Sequence, residues 1–357
     1  MGKRNSKLEI VRIISIVFIV LSHYVIHSGY DVNNLPIGIN RYILELGVLG
    51  NIGTMLFVLI SGFFLINSNE IKLKKIIHFL TQVSFYSITI YLLLVLLNIE
   101  LFSVKSLILN MFPVTFKRYW FATTYFILYL FHPFINRFIN SLQRKEHLDF
   151  LLLGVFVFFV LSTLTTMDFY GNELICFILL YSIGAYFSKY KNNYFYKNNN
   201  SLKIMIVSII LIASSIITFD VLGTKIDFFG KHSTYLLNMH SIFALLLALS
   251  IFSIFSMMKP NTNKIINYVS TLVFGIYLIS DNKYMRSIIW CDVLKNKKFF
   301  SSNYLAVHLI MSIILVCFFC ILIELVRKII FDKCVFRFLD SKIDELELNI
   351  KNKMKNK

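Results

Sequence analysis

The chain has 357 residues, of which 57% are hydrophobic, only 15% are charged and 36 are Phe. Soluble domains are about 45–50% apolar and about 25% charged, so this composition excludes a cytosolic globular enzyme, a disordered protein and a secreted disulfide scaffold. The net charge of +17 fits basic loops that contact anionic membrane lipids better than it fits binding of nucleic acid. The sequence therefore predicts an all-α, polytopic bundle of transmembrane helices.

Ten apolar stretches are long enough, or nearly long enough, to cross a bilayer. In chain order they lie near 8–27, 43–66, 76–98, 119–139, 149–166, 173–188, 203–219, 234–258, 265–282 and 304–330. With a cytoplasmic N-terminus, the inside segments hold fifteen Lys and Arg before the C-terminal tail, and the outside segments hold eleven. This bias predicts that both termini are cytoplasmic. We expect residues 1–330 to form a membrane domain and 331–357 a basic cytoplasmic tail along the inner leaflet.

The first stretch carries three ionisable residues, Glu9, Arg12 and His23. Such a residue inside a span costs roughly 2.5–3.5 kcal/mol, which makes it a functional candidate. Arg12 and His23 are eleven residues apart, close to three helical turns, so they lie on one helix face about 16 Å apart along the axis. Glu9 precedes Arg12 by one turn and can pair with it. The pattern indicates a cavity with an anion site near the cytoplasm and a base deeper in the span. The alternative is a snorkelling Arg12 and a hydrogen-bonded packing role for His23.

The second and fourth stretches contain further polar and aromatic candidates. Small residues around Ser61 permit a close helix crossing. Such a crossing explains the small residues well but explains the polar Asn51 less well. Trp120 opens the fourth stretch and fits an aromatic belt at the membrane interface. His23 and His27 have a spacing that suits a metal, but the sequence shows no third ligand near them, so we expect no metal site.

One combination of motifs is specific. An acidic residue, an Arg three positions later and a His after ten more residues stand in the first stretch as Glu9, Arg12 and His23. Looser matches in later stretches are Gly53 to Gly62, Trp120, Phe121, Tyr129, Pro133 and Gly275 to Ile279. Together these positions resemble the acyltransferase-3 family of bacterial integral-membrane acyltransferases. Ser280 stands where that family frequently has a His, so no role of that His is carried over.

The resemblance implies an O-acyltransferase of a bacterial cell membrane. Its donor would be a cytosolic acyl-CoA, usually acetyl-CoA, with no permanently bound cofactor, and its acceptor a hydroxyl of a surface polysaccharide or of a lipid-linked sugar precursor. His23 would serve as general base or acyl-transfer centre, and Arg12, held by Glu9, would meet the phosphate-bearing donor. The candidates for substrate or oxyanion contacts are Asn51, Ser61 and Trp120.

Two functions of other classes remain open from the sequence. A transporter of polysaccharide or lipid-linked sugar would also have about ten spans, aromatic cavity walls and buried polar residues. A polysaccharide polymerase would typically have a large extracytoplasmic loop with several arginines. The loops of this chain are shorter. Replacement of His23 separates the first alternative from the enzyme, because a transporter should tolerate it better.

Overall fold

The fold is described here from a computed structural model, which covers residues 6–165, 172–197 and 199–355, with side chains through residue 345 in the C-terminal segment. All regular elements in these ranges are helices. The α-helices are α1 (Lys7–Ile26), α2 (Ile39–Glu45), α3 (Gly50–Leu65), α4 (Leu73–Leu96), α5 (Val104–Met111), α6 (Trp120–Ser141), α7 (Arg144–Val155), α8 (Leu161–Thr165), α9 (Glu173–Lys189), α10 (Asn200–Gly223), α11 (Asp227–Lys231), α12 (Ile242–Met257), α13 (Lys264–Val269), α14 (Val273–Ser280), α15 (Met285–Ser287), α16 (Leu305–Ile330) and α17 (Phe336–Lys355). Short 3₁₀ segments lie at Val32–Asn34, Leu46–Leu49, Tyr194–Tyr196, Tyr235–Leu237 and Asn296–Phe299, and π-helical segments lie at Phe156–Val160, Ile288–Val293 and Phe331–Val335.

Within the described ranges, seven helical stretches are long and apolar enough to cross a membrane, judged by length and composition. They are Lys7–Ile26, Ile39–Leu65, Leu73–Leu96, Arg144–Thr165, Asn200–Gly223, Asp227–Met257 and Leu305–Glu345. The predicted all-α, polytopic class is therefore confirmed, and the protein is a multi-pass membrane protein. The count of ten spans, the cytoplasmic termini and the boundary at residue 330 stay predictions. Residue 166, which ends one predicted stretch, and the predicted domain ends 1–5 and 356–357 lie outside the described residues.

The predicted stretch 265–282 is not one continuous helix. It is divided into α13 and α14 by a turn that contains Ser270 and Thr271. The Ser270 hydroxyl donates to the carbonyl oxygen of Asn267 at 3.0 Å, and the Thr271 hydroxyl donates to that of Tyr268 at 2.7 Å. Hydroxyls that bond backbone carbonyls in this way compete with the helical ladder. The interruption leaves α14 as a short helix whose last residues lie beside α1.

Helix α1 lies at the centre of the bundle and packs against α3, α12, α14 and α16. The closest helix crossing joins α3 to α9. A Cβ atom added at Gly62 would lie 2.0 Å from the carbonyl oxygen of Tyr181, and one added at Gly184 would lie 2.2 Å from that of Leu59. Only glycine allows two helix backbones to approach this closely. The close crossing predicted for the second stretch is therefore confirmed.

The bundle has cavities lined by polar residues at two ends. The start of α1, the start of α4 and the end of α16 meet at one of them, which we call the Arg12 end. The starts of α3 and α6 and the end of α14 meet at the other, the His23 end. The tail forms α17, which returns to α4 through an ion pair of Lys74 with Asp344 at 2.7 Å. The imidazole of His78 also stacks on Phe336 with ring centroids 3.9 Å apart.

Candidate active site

Helix α1 presents its polar residues to two separate cavities. Arg12 lines a cavity of about 270 Å³ at the Arg12 end, together with Lys75 and Tyr125. His23 lines a cavity of about 300 Å³ at the other end, together with Asp281. We call them the Arg12 cavity and the His23 cavity. The prediction of a single cavity is therefore wrong: Arg12 and His23 line two different cavities along one helix.

Arg12, which lines the Arg12 cavity, forms an ion pair with Glu9. The guanidinium Nη1 of Arg12 lies 2.8 Å and 2.6 Å from the two carboxylate oxygens of Glu9, and Glu9 is only 1% exposed. The pairing predicted from their spacing is therefore confirmed. The guanidinium also lies 5.5 Å from the ring centroid of Phe64, which positions it by a cation–π contact. Lys75 brings a second cation to the same cavity.

The imidazole of His23 is held in one orientation by Ser280. His23 is buried, with 7% of its surface exposed, and its Nδ1 lies 3.0 Å from the Ser280 hydroxyl oxygen. That hydroxyl donates its only proton to the carbonyl oxygen of Ile276 at 2.7 Å. Nδ1 of His23 must therefore be the donor in the first bond, and Nε2 carries the lone pair. The tautomer with a free Nε2 is the one that a general base needs.

Asp281 is a candidate functional residue that the sequence did not single out. Its carboxylate is buried, 3% exposed, at the end of α14. Oδ1 accepts hydrogen bonds from Nε2 of His27 at 3.1 Å and from Nε of Arg286 at 3.1 Å, and it lies 3.6 Å from Nε2 of His23. A carboxylate at this distance stabilises a protonated His23 imidazole. No sequence signal links these groups, because α1 and α14 are about 250 residues apart in the chain.

His23, His27 and Asp281 form a cluster. The sequence analysis expected no third ligand near the two histidines, and Asp281 is in the position of one. One ligand atom from each of these side chains lies within 4.8 Å of the others. Two imidazoles and a carboxylate are a donor set that zinc uses. Arg286, however, places its Nη2 2.9 Å from the same Asp281 oxygen, and this cation opposes a metal ion there. The arrangement favours an ion-paired carboxylate. The absence of a metal site stays a prediction.

The three predicted substrate or oxyanion residues are divided between the cavities. Asn51 and Trp120 line the His23 cavity, and Asn51 donates one amide proton to the carbonyl oxygen of Leu237 at 3.2 Å. Ser61 instead lines the Arg12 cavity, where its hydroxyl lies 3.1 Å from that of Tyr125. The structure therefore separates Ser61 from His23, because α3 packs along α1 and carries Asn51 and Ser61 to different cavities.

A layer of aromatic rings lies between the two cavities. Phe121 and Tyr277 line the His23 cavity, whereas Tyr125 lines the Arg12 cavity. The ring centroid of Phe121 is 5.8 Å from that of Tyr125 and 5.6 Å from that of Tyr277. We call these three residues the aromatic partition. The partition therefore links the lining of one cavity to the lining of the other.

The sequence as a whole identifies the family. Residues 5–326 match the model of the acyltransferase-3 family, which is described as an acyltransferase domain. This match covers most of the chain, so the protein belongs to that family, as its Arg12 and His23 motif predicts, and it is an acyltransferase for groups other than aminoacyl groups. No curated protein and no solved structure matches the chain significantly.

Proposed function

We propose that the protein is an O-acyltransferase of a bacterial cell membrane. It takes an acyl group, an acetyl group in the first instance, from acyl-CoA at the cytoplasmic side and transfers it to a hydroxyl of a surface polysaccharide or its lipid-linked precursor. The observation that carries the proposal is that one helix, α1, places a cation and a base in two different cavities. Arg12 serves the donor, and His23, about 16 Å further along the axis, serves the acceptor.

The donor is assigned to the Arg12 cavity by charge. Coenzyme A carries phosphates, and a guanidinium binds phosphate through two parallel hydrogen bonds. Arg12 is already oriented by Glu9 and Phe64, so little conformational freedom is lost when it meets the donor. On this proposal the acyl arm extends past the aromatic partition to the His23 cavity, while the phosphates of the donor stay at the Arg12 end.

The reaction is assigned to the His23 cavity. The acceptor oxygen attacks the thioester carbonyl carbon, a carbon–oxygen bond forms and the carbon–sulfur bond breaks. Nε2 of His23 takes the hydroxyl proton and passes it to the leaving thiolate. Ser280 keeps the ring in the tautomer that this step requires, and Asp281 stabilises the positive charge that appears on the ring. Asn51 and Trp120, which line the same cavity, are the candidates to donate to the oxyanion.

The proposal is tested with the full chain reconstituted in nanodiscs. Radiolabelled acetyl-CoA is supplied with surface polysaccharide from cells that lack the protein, and label in the polysaccharide is measured before and after mild alkali. We expect label that alkali releases, as an ester requires. No transfer from acetyl-CoA or from longer acyl-CoA, together with loss of surface polysaccharide in cells without the protein, would contradict the proposal and favour an exporter.

A further inference from the structure

A third and larger cavity opens at the Arg12 end, between α4, α16 and α17. Its volume is about 1020 Å³, and we call it the vestibule. Its lining includes Lys75, His78, Arg327, Lys328 and Arg337. The wall that α17 contributes lies beyond residue 326, where the family match ends. The vestibule is therefore partly built from a segment that the family resemblance does not explain.

Helix α17 is fixed in place as a wall of the vestibule. Asp340 pairs with the imidazole of His78 at 2.8 Å, and Asp344 pairs with Lys74 at 2.7 Å. Exposed ion pairs contribute little one by one, but here the stacking of Phe336 on His78 acts at the same contact. These interactions occupy two of the acidic side chains that face the vestibule.

The charges that remain without partners are mostly positive. Glu324 is neutralised by Arg327, whose Nη2 lies 2.7 Å away, and Tyr86 donates to the same carboxylate. Lys75 and Arg337 make no ion pair or side-chain hydrogen bond with a described residue, and Lys328 donates only to the neutral Thr271.

Asp332 is the one carboxylate of the described vestibule lining that has no hydrogen bond or ion pair. A further donor is available as well, because the buried Nη1 of Arg327 has no hydrogen-bond partner among the described residues. The lining holds equal numbers of Lys or Arg and of Asp or Glu, four of each. Among those without an ion pair to a described residue, however, Lys75, Lys328 and Arg337 outnumber the single carboxylate, and together with the buried donor they suit an anion.

The vestibule and the Arg12 cavity are adjacent. Lys75 and Phe79 line both of them, so their side chains stand between the two. Sites for cofactor-sized ligands usually measure about 300–1,000 Å³. The Arg12 cavity, at about 270 Å³, is too small for an entire nucleotide thioester, whereas the two cavities together have the required size.

We propose that the vestibule binds the phosphate-bearing nucleotide of the acyl-CoA donor, with Lys75 and Arg337 as phosphate contacts. The acyl arm then passes Lys75 and Phe79 into the Arg12 cavity. Helix α17 is on this view part of the donor site, and Arg337 is its contribution. The proposal rests on the proposed function, because it takes acyl-CoA as the donor, and it adds where the nucleotide lies.

The test measures binding and transfer separately. Adenosine 3′,5′-bisphosphate, the nucleotide half of the donor, is titrated against the full-length protein in nanodiscs, and the KM for acetyl-CoA is measured in parallel. The variants are Lys75→Gln and Arg337→Gln, in which no ion pair to a described residue is broken, so folding should be retained. Lys333→Gln is the matched control, since Lys333 is exposed, lies four residues before Arg337 and does not line the vestibule.

We expect each variant to bind the nucleotide about tenfold more weakly, because each loses a charge-assisted contact, with a similar rise in KM and no change in the control. Unchanged nucleotide affinity in both variants would overturn the vestibule site, even if acetyl-CoA is a donor. Weakened binding in the two variants, without any transfer from acyl-CoA in the wild type, would support the nucleotide site and overturn the proposed function.

Discussion

Replacement of His23 by Gln gives the sharpest test of the chemistry. Gln is close to His in size and keeps an N–H that can reach the Ser280 hydroxyl, which accepts from His23 at 3.0 Å in the structure. Like a neutral imidazole, the Gln side chain also adds no charge beside Asp281. Folding should therefore be little affected, whereas no group remains that can take the acceptor proton. Loss of a general base typically costs about 10²–10⁴-fold in rate, and we expect the turnover number to fall within that range.

The assay follows transfer from labelled acetyl-CoA to polysaccharide in nanodiscs, with the protein level checked by immunoblot. His232→Gln is the control, because His232 makes a local hydrogen bond to the carbonyl oxygen of Phe228 and does not line the His23 or Arg12 cavity. It should leave the rate unchanged. A His23→Gln protein that transfers within about threefold of the wild type, where a base would contribute at least about 100-fold, would refute the assigned role.

Three other changes test the remaining parts of the structure. Arg12→Lys keeps a charge beside the buried Glu9 but loses the guanidinium fork, so the KM for acyl-CoA should rise about tenfold; an unchanged KM would reduce Arg12 to a structural residue. Gly184→Ala places a Cβ 2.2 Å from a backbone oxygen of α3. It should reduce the free energy of unfolding by about 1–3 kcal/mol and so lower the thermal unfolding midpoint. Gly38→Ala, with no atom within 4 Å of the added Cβ, should leave the midpoint unchanged. Reporter fusions at Lys357 and within 189–203 should report the cytoplasm, and an external signal at either site would reverse the proposed direction of transfer.

Local periodicity was enough to predict the Arg12 part of the site. Glu9 and Arg12 are three residues apart on one helix, so their pairing follows from helix geometry alone, and the structure has it at 2.6 Å. The same reasoning placed His23 on the face of α1 that lines a cavity. Composition and hydropathy likewise identified the helical membrane class, because the cost of burying charge in a bilayer restricts composition strongly.

Long-range packing decided what the sequence could not reveal. Asp281 meets His27 across 254 residues, and no periodic pattern connects them. Ser61 has a hydroxyl that could donate to an oxyanion. It lies far along α3 from Asn51, however, since the two residues are almost three helical turns apart. The break between α13 and α14 depends on which hydroxyls turn back to the backbone, a competition that helix propensity alone does not settle.

Ser280 shows how the site accommodates its departure from the family pattern. A histidine, which is frequent at this position in the family, could serve as a second titratable group, whereas a serine hydroxyl has no such role near neutral pH. The structure nevertheless keeps what a base at His23 would require from this position, an acceptor for Nδ1 of His23. The Ile276 carbonyl fixes the direction of that hydroxyl, so the serine orients the imidazole although it cannot share its proton. Charge stabilisation then depends on Asp281, one residue further along, which lies 3.6 Å from Nε2 of His23. In the proposed mechanism, orientation and charge compensation are thus divided between two adjacent residues at the end of α14, and His23 carries the proton.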